Sequence, residues 1–374
     1  MFARFTRKAT IDGKMVSFRK GTTILEAARR AGIEIPTLCH IEGHPPTGVC
    51  RVCVVEVEWA RTLAGSCHTP IAEGMVIHTR SPRVLDVRRG VVELMLAAHT
   101  GNCVSDPNAD SCGLHCLASN QEVGAPRFAI AQPRSYPAED ANPYVRRDLS
   151  KCIMCRRCIT ACGEIAGKRI LSVGYRGFAS KIIAGYDAAL TMEACRDCGV
   201  CIEYCPTGAL SDPRREPVTR PGGKSGPGRR RESSKHAPES ACARLLPLLK
   251  EELGRKGSLS AESMATAARK TGLSLAETFG VSSFYAFLPR EGGEVNRIRV
   301  CRCLPCELKA GRAVMAALQR ELGIGPGETT SDGRFSLELA GCIGACDQAP
   351  AMLVNDELYG NVHPDRIADI LRAY

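Results

Sequence analysis

The sequence has 374 residues, 44% of them hydrophobic, which is enough for roughly two to four domains with buried cores. Its formal net charge is +10. Its 21 cysteines are too sparse for a disulfide-dense secreted scaffold, and their odd number argues against complete disulfide pairing. No apolar run approaches the roughly 20 residues of a membrane span, and the start lacks the apolar segment of a signal peptide, so we expect a cytoplasmic protein without membrane insertion, whose clustered cysteines bind metal.

The first predicted module is a small sheet crossed by one helix. "ATIDGKMVSF" predicts a hairpin that turns at Asp12-Gly13, and "GTTILEAARRAGI" predicts an amphipathic helix with Thr23 as N-cap and Gly32 as its stop. A strand follows in "CRVCVVEVEWA". This arrangement is typical of β-grasp [2Fe–2S] ferredoxins, although the cysteine spacing differs from the plant type. The predicted ligands, for which structural zinc is the alternative, are Cys39, Cys50, Cys53 and Cys67.

A second helix and a cysteine-rich stretch come next. "SPRVLDVRRGVVELMLAAH" predicts a helix with Ser81 as N-cap and Pro82 in its first turn, ending at His99. The stretch that begins there, "HTGNCVSDPNADSCGLHC", fits no common zinc pattern. A lone histidine at a helix end is usually a core or cap residue, but three following cysteines favour a metal ligand.

Two tandem cysteine runs carry the strongest signal in the chain. "CIMCRRCITAC" and "CRDCGVCIEYCP" both read C-x2-C-x2-C-x3-C. Three cysteines at this spacing wrap one face of a [4Fe–4S] cubane, and the fourth reaches the other cluster. Zinc is the weaker alternative, because zinc sites usually pair two short C-x2-C arms. The predicted ligand sets are Cys152, Cys155, Cys158 with Cys205, and Cys195, Cys198, Cys201 with Cys162.

Three arginines, Arg156, Arg157 and Arg196, lie within these runs. Positive charge there would favour the reduced, more negative cluster and raise its potential. Solvated surface arginines are the equally good interpretation, and the sequence leaves both open.

A basic segment separates the cysteine runs from the C-terminal region. Residues 213–236 contain eight Lys or Arg against two Glu, with many Pro, Gly and Ser. Such a composition cannot bury enough apolar surface to fold, so 213–238 is predicted to be a disordered linker. A nucleic-acid-binding arm is disfavoured, because the segment lacks interleaved aromatic residues.

The C-terminal region alternates strand, helix, strand, hairpin and helix, which is the order of a thioredoxin-like α/β fold. A redox-active disulfide is the competing hypothesis, but C-x-x-C is absent where thioredoxins carry it. Two cysteines, Cys242 and Cys303, fit no predicted ligand set; the second is interpreted as a small buried or loop residue. The cysteines grouped as a site here are Cys301, Cys306, Cys342 and Cys346.

These motifs resemble two families. The first 210 residues are similar to the iron–sulfur region of the complex I large iron–sulfur subunit and of hydrogenase diaphorase and formate dehydrogenase subunits. "SLAETFGVSSFYAFL" and "GCIGACDQAPAMLVN" resemble the thioredoxin-like [2Fe–2S] subunit of complex I. The resemblance implies that Cys301, Cys306, Cys342 and Cys346 bind a [2Fe–2S] cluster.

The resemblance also bears on the stretch at His99. The related families hold a [4Fe–4S] cluster there with the spacing H-x3-C-x2-C-x5-C, which His99, Cys103 and Cys112 match. The remaining position is Asp106. Because cubanes prefer thiolates to carboxylates, we expect Cys116 to be the fourth ligand, with Asp106 as the alternative.

The sequence thus predicts an α+β multidomain protein with two [2Fe–2S] and three [4Fe–4S] clusters. Its domains are a β-grasp ferredoxin (1–80), a His/Cys-ligated [4Fe–4S] module (81–145), a bacterial-type two-[4Fe–4S] ferredoxin (146–212), the linker (213–238) and a helical lead-in with a thioredoxin-like domain (239–374). No nucleotide-binding motif is found on this chain.

The resemblance implies an electron-transfer subunit of a soluble NAD(P)(H)-linked oxidoreductase. FMN and NAD(P) are expected on a flavoprotein partner, and the terminal redox subunit could be a hydrogenase, a formate dehydrogenase or a flavin-bifurcating reductase. A soluble ferredoxin is a further candidate partner, and nucleic acid is not expected. The alternatives are a peripheral-arm subunit of complex I and a cluster-bearing scaffold or redox sensor.

Overall fold

The computed structural model describes residues 7–99, 112–128, 142–188, 190, 195–196, 198–214, 239–256, 258–285, 288, 296–355 and 357–374, without the side chains of 239–242. Cys103, Asp106 and nearly all of the predicted linker therefore lie outside the described residues. The chain forms two compact units, residues 1–288 and 289–374, and each is described by itself. Among the described helices, none combines the length and the apolar character needed to cross a membrane.

The first unit begins with a mixed sheet in the order β2-β1-β5-β3-β4. The predicted hairpin at Asp12-Gly13 is confirmed, as is the helix that follows it: Thr23 and Glu26 form a capping box at its start. Apolar side chains of the helix and of the sheet form the core of this module. Its elements are β1 (Arg7–Ile11), β2 (Lys14–Phe18), α1 (Ile24–Arg30), β3 (Val54–Val57), β4 (Ala64–Gly65) and β5 (Val76–His78).

Two helices follow, α2 (Pro82–Ala98) and α3 (Gly113–Asn120). The predicted N-cap of α2 is confirmed, since the Ser81 hydroxyl accepts a hydrogen bond from the Val84 N–H, and His99 is its C-cap. The apolar faces of both helices pack against the loop that carries Cys39 and Cys50.

The region between residues 142 and 214 contains both tandem cysteine runs. The helix α4 (Arg157–Thr160) continues into a π-helical turn over Ala161–Ile165, a local widening that often marks functional sites. The first run is separated from the second by the antiparallel hairpin of β7 and β8. The remaining elements here are β6 (Arg146–Arg147), β7 (Leu171–Gly174), β8 (Lys181–Ala184), α5 (Val200–Glu203) and β9 (Leu210–Ser211).

Three helices complete the first unit: α6 (Glu239–Lys256), α7 (Ala261–Thr271) and α8 (Leu275–Phe284). Their sequence predicts that they belong to the C-terminal domain, whereas in the structure they pack on the β7–β8 hairpin. The side chain of Ile183 from β8 is fully buried among their leucines. A shared apolar core therefore ties these helices to the region of the cysteine runs.

The second unit has a four-stranded sheet in the order β11-β10-β12-β13, in which β10 and β11 are parallel. The predicted order of strand, helix, strand, hairpin and helix is present, with the predicted helix over 311–322 and the hairpin over 352–359. Its elements are β10 (Asn296–Cys301), α9 (Leu304–Leu308), α10 (Gly311–Leu322), β11 (Phe335–Ala340), β12 (Met352–Val354), β13 (Glu357–Tyr359) and α11 (Ile367–Arg372).

Candidate metal centres

The four cysteines of the N-terminal module are brought together in its interior as free thiols. A hydrogen bond with the Cys50 thiol lowers the pKa of Cys39 to about 5, and one with Cys67 lowers the pKa of Cys53 to about 6. The Cys39 thiolate also acts electrostatically on Cys53 and Cys67, so the two pairs adjoin. Four buried sulfurs without a disulfide are a donor set that fits a thiophilic iron cluster.

A buried arginine supports the loop of this site. Arg88 on α2 is only 3% exposed. Its Nε donates to the Val52 carbonyl at 3.0 Å, and its Nη2 donates to the carbonyls of Val54 at 3.0 Å and Thr79 at 3.3 Å. Val52 lies between two of the predicted ligands, Cys50 and Cys53. Arg88 therefore fixes the backbone that presents both thiols.

Arg88 is not among the site residues predicted from the sequence, although the sequence contains a signal for it. Val84, Arg88 and Val92 are spaced four residues apart on α2, so they share one helix face, and all three are buried. A charged residue in the middle of an apolar stripe predicts a buried polar contact. Which carbonyls it contacts could not be read from the pattern, because they belong to a distant loop.

The structure describes only part of the predicted site at His99. His99 Nε2 lies 3.9 Å from the Cys112 sulfur, and both residues are buried. Burial, and after it the neighbouring His115 and Lys151, lowers the pKa of His99, which favours the neutral imidazole that can bind a metal. Cys116 lies one turn beyond Cys112 on α3. Because Cys103 and Asp106 lie outside the described residues, the fourth ligand stays a prediction.

The tandem runs bring their cysteines into two adjoining groups. Burial, and then the thiols of Cys205 and Cys152, raise the pKa of Cys155. Burial, and then Cys162, Cys195 and Cys198, raise the pKa of Cys201 to about 12. Cys205 thus lies near Cys155 but also near Cys201, whereas Cys162 lies near Cys195, Cys198 and Cys201, and these neighbours support the predicted crosswise arrangement. The ligand roles themselves stay a prediction.

A cavity lies at the second group. Its walls are otherwise largely apolar, with Val145, Ile170 and Leu190 among them, and one side is open to solvent. The backbone N–H of Ile170 donates to the Cys162 sulfur at 3.4 Å, which would stabilise negative charge on that sulfur. A cavity surrounded by thiols fits a cubane cluster. The four cysteines that line it are Cys162, Cys195, Cys198 and Cys201.

The arginines of the runs differ in their surroundings. Arg156 and Arg196 are exposed, which favours the surface interpretation for these two. Arg157 is half-buried, with its guanidinium 5.8 Å from the centroid of the Tyr204 ring. Its charge is therefore held beside the Cys201–Cys205 segment.

The predicted centres of the first unit are close neighbours. One buried cluster of side chains contains cysteines of three predicted centres: Cys39 and Cys50 of the N-terminal site, Cys112 of the His99 site, and Cys155 of the first cubane group. The N–H of Gly113, next to Cys112, donates to the carbonyl of Pro206 at 2.6 Å, and Pro206 follows Cys205. This backbone hydrogen bond thus connects the residue after Cys112, at the His99 site, with the residue after Cys205, in the first cubane group.

A polar contact adds to this connection. The Nδ1 atom of His44, in the loop between Cys39 and Cys50, lies 2.9 Å from a carboxylate oxygen of Glu164, in the π-helical turn that carries Cys162. Both side chains are largely buried. The contact fixes the N-terminal cysteine loop against the region of the cubane runs.

The C-terminal site contains five cysteines, one more than predicted. Cys301 and Cys306 are buried, whereas Cys342 and Cys346 are exposed. The sulfurs of the exposed pair are 3.4 Å apart. Cys303, interpreted from sequence as outside the site, has its sulfur 3.3 Å from that of Cys301. The spacing could not reveal this, because the distance depends on how residues 301–306 turn from β10 into α9.

Three segments of the chain match known domain families. Residues 8–82 match the family described as 2Fe-2S iron-sulfur cluster binding domain. Residues 142–211 match NADH-quinone oxidoreductase subunit 3, ferredoxin-like domain. Residues 231–374 match the thioredoxin-like [2Fe-2S] ferredoxin family. The last match includes both the second unit and all three of the helices α6–α8, which pack in the first unit.

Similar proteins include NADP-reducing hydrogenase subunit HndD of Solidesulfovibrio fructosivorans, which is 40% identical over 206 residues, covering 54% of this chain and 35% of the relative. A subunit of the NADH-quinone oxidoreductase of Rhizobium meliloti (strain 1021) is 34% identical over 205 residues, covering 54% of this chain and 24% of the relative. One chain of a crystal structure of NAD+-reducing [NiFe]-hydrogenase in the H2-reduced state is 31% identical, with a TM-score of 0.47, over 55% of this chain and 86% of that one.

The matches define the class: a multidomain iron–sulfur protein with ferredoxin-like and thioredoxin-like [2Fe–2S] domains. The resemblance predicted from the sequence is confirmed. One polypeptide joins a region of the complex I large-subunit and hydrogenase type to a thioredoxin-like [2Fe–2S] ferredoxin region. The chain spans only about a third or less of the length of the curated relatives named above.

Proposed function

We propose that this chain is the electron-transfer iron–sulfur subunit of an NAD(P)(H)-linked multisubunit oxidoreductase. The contact between the predicted centres of the first unit carries the proposal, since Cys39, Cys50, Cys112 and Cys155 share one buried cluster. Iron–sulfur clusters, when bound, accept and donate single electrons, and the protein sets their spacing and insulation. Adjoining ligand sets suit a protein that passes electrons from centre to centre.

The proposal includes the finer assignment of modules and cofactors. The β-grasp and the thioredoxin-like domains each bind a [2Fe–2S] cluster. The His99 site and the two tandem runs bind three [4Fe–4S] clusters. The buried thiols of the first site, the thiol-lined cavity at the second cubane group and the grouped C-terminal thiols support this assignment.

The partners follow from the relatives, which are named as subunits of NAD(P)-linked enzymes. A flavoprotein with FMN and a nucleotide site exchanges electrons with this chain at one end of the path. At the other end the chain exchanges electrons with a terminal subunit, which is a hydrogenase, a formate dehydrogenase or a bifurcating reductase. Because both regions of the chain resemble subunits of one assembly, the linker raises the effective concentration of the second region once the first has docked. The assembly is cytoplasmic.

A redox sensor or cluster-bearing scaffold is the competing function, and the number of clusters separates the two. Anaerobically purified chain should contain about sixteen irons and matching sulfide if all five centres are filled. Low-temperature EPR of the dithionite-reduced protein should show both [2Fe–2S] and [4Fe–4S] signals. Fewer than about twelve irons after cluster reconstitution would contradict the electron-transfer chain.

The partner is tested by affinity purification of the native complex. We expect a flavoprotein to co-purify, and NADH or NADPH to reduce the clusters only when it is present. Reduction by nicotinamide nucleotide of the isolated chain would contradict the assignment of the nucleotide site to the partner. Co-purification of complex I membrane subunits would instead favour a peripheral-arm role.

A further inference from the structure

The C-terminal site has a thiol at its centre that no predicted ligand set uses. Cys301, Cys303 and Cys306 lie with their sulfurs within 4.8 Å of one another, and so do Cys303, Cys342 and Cys346. Cys303 alone belongs to both groups. The Cys301 thiol donates a hydrogen bond to the Cys303 sulfur at 3.3 Å.

The sulfur–sulfur distances of Cys303 are similar to those between the predicted ligands. Two thiolates that bind one metal ion at about 2.3 Å in tetrahedral geometry have sulfurs about 3.8 Å apart. The Cys301–Cys303 distance of 3.3 Å and the Cys342–Cys346 distance of 3.4 Å are both close to this value. By distance, Cys303 is able to share an iron either with the buried pair or with the exposed pair.

Its position on the chain favours small movements toward either pair. Cys303 is the N-cap of α9, in an extended conformation (φ −74°, ψ 162°), and it is half-buried. Its side chain makes no capping hydrogen bond to the helix. A rotation about its side-chain torsion would therefore break no bond that holds α9.

We propose that Cys303 is a fifth iron ligand of the C-terminal site, which replaces Cys342 or Cys346 when one of these exposed thiolates is lost. The proposal rests on the [2Fe–2S] assignment made above. In the exchange the bond between iron and the departing sulfur breaks, a bond between iron and the Cys303 sulfur forms, and the Cys303 proton passes to solvent or to the departing thiolate. No electron is gained or lost, so the exchange needs no oxidant.

Single and double variants of the full chain test the proposal. We expect Cys342→Ala to keep its iron content, because Cys303 takes the free position, and the double variant Cys303→Ala/Cys342→Ala to lose about two irons per chain. Alanine is chosen because serine could itself bind iron. The control Cys303→Ala should keep full iron, since the four predicted ligands remain. The irons of the first unit are the internal reference.

Alkylation of the folded protein with iodoacetamide, followed by peptide mass spectrometry, gives a second readout, the reactivity of each of the five thiols. In the wild type Cys303 should react while the other four are protected; in Cys342→Ala it should become protected. A Cys342→Ala variant that loses the two irons and leaves Cys303 reactive would overturn the proposal. If all five thiols react in the wild type, the C-terminal cluster assignment fails, and this inference fails with it.

Discussion

At the scale of single residues, Arg88 shows how one buried side chain can control a metal site. Its guanidinium satisfies three carbonyls around the Cys50–Cys53 loop, and burial lowers its pKa. Replacing it by methionine keeps the apolar stem but leaves these carbonyls without donors. We expect Arg88→Met to destabilise the N-terminal module by about 2–4 kcal/mol, measured by chemical unfolding.

The same substitution should shift the potential of the N-terminal cluster. Removing a positive charge near Cys53 disfavours the reduced, more negative cluster, so the potential should become more negative in an EPR-monitored redox titration. The control is Arg89→Met, because Arg89 is adjacent on α2 but exposed, and it donates to the carbonyl of Gln121. Equal shifts in both variants would show that Arg88 has no special role.

The fourth ligand of the His99 site is also decided by one residue. If Cys116 binds the cluster, Cys116→Ala should lose about four irons per chain, whereas Asp106→Ala should lose none. The opposite pattern would assign the position to Asp106. Iron analysis with EPR of the remaining clusters distinguishes a specific loss from general unfolding, since the other centres act as the reference.

These residues mark what a sequence pattern can predict. Thr23 and Ser81 cap their helices as predicted, because capping depends on neighbours three residues away. The roles of Arg88 and Cys303 depend on contacts that form only after distant segments, or a tight turn, have been placed, and no local pattern encodes them.

At the scale of elements, the contact between α8 and the β7–β8 hairpin depends on a glycine. A Cβ atom at Gly280 would lie 2.5 Å from the Val173 carbonyl oxygen, which is backbone and cannot rotate away. Gly280→Ala should therefore force α8 away from β7 and destabilise this contact by about 1–3 kcal/mol. Hydrogen exchange of 171–184 and 275–284 should become faster.

Gly254 on α6 is the matched control for this prediction. A Cβ atom there would meet nothing within 4 Å. Because alanine is the better helix former by about 0.5–1 kcal/mol, Gly254→Ala should stabilise the first unit slightly. The two glycine-to-alanine changes should thus have opposite signs in chemical unfolding, and equal signs would contradict the close approach at Gly280.

The same contact includes an ion pair that reaches the second cubane group. Glu277 on α8 accepts two hydrogen bonds from the Arg169 guanidinium at 2.8 Å, and the backbone N–H of Arg169 donates to the Cys162 carbonyl. Although burial raises the pKa of Glu277, hydrogen bonds from Arg169 and Ser274 lower it overall, so the carboxylate is charged at neutral pH.

Removing this carboxylate charge should change the neighbouring cluster. In Glu277→Gln the positive charge of Arg169 is no longer balanced, which favours the reduced cluster held by Cys162. We expect a rise in the potential of one [4Fe–4S] cluster, on the order of tens of millivolts, where about 59 mV is a tenfold change in the one-electron equilibrium. The exposed Glu262→Gln is the control, and an equal effect there would exclude a role for the ion pair.

At the scale of the whole molecule, the boundaries of the family matches and of the compact units disagree. The thioredoxin-like match begins at residue 231, but the first compact unit continues to residue 288. The sequence placed α6–α8 with the C-terminal domain because their motif resembles that family. The motif does not indicate where these helices pack. They bury Ile183 of β8, and Arg169 and Tyr175 donate hydrogen bonds to residues of α8.

This disagreement gives opposite expectations for two truncated chains. If α6–α8 are part of the first unit, a chain that ends at residue 288 should keep about fourteen irons and the unfolding midpoint of the first unit. A chain that ends at residue 214 should expose Ile183 and the β7–β8 hairpin to solvent. Because burying one such aliphatic side chain contributes about 1.5–3 kcal/mol, this shorter chain should unfold at lower denaturant and aggregate more readily. Equal stability of the two chains would mean that the helices contribute nothing to the first unit. In that case the domain boundary at residue 239, predicted from the sequence, would describe the folding units better than the boundary at residue 288 given by the packing.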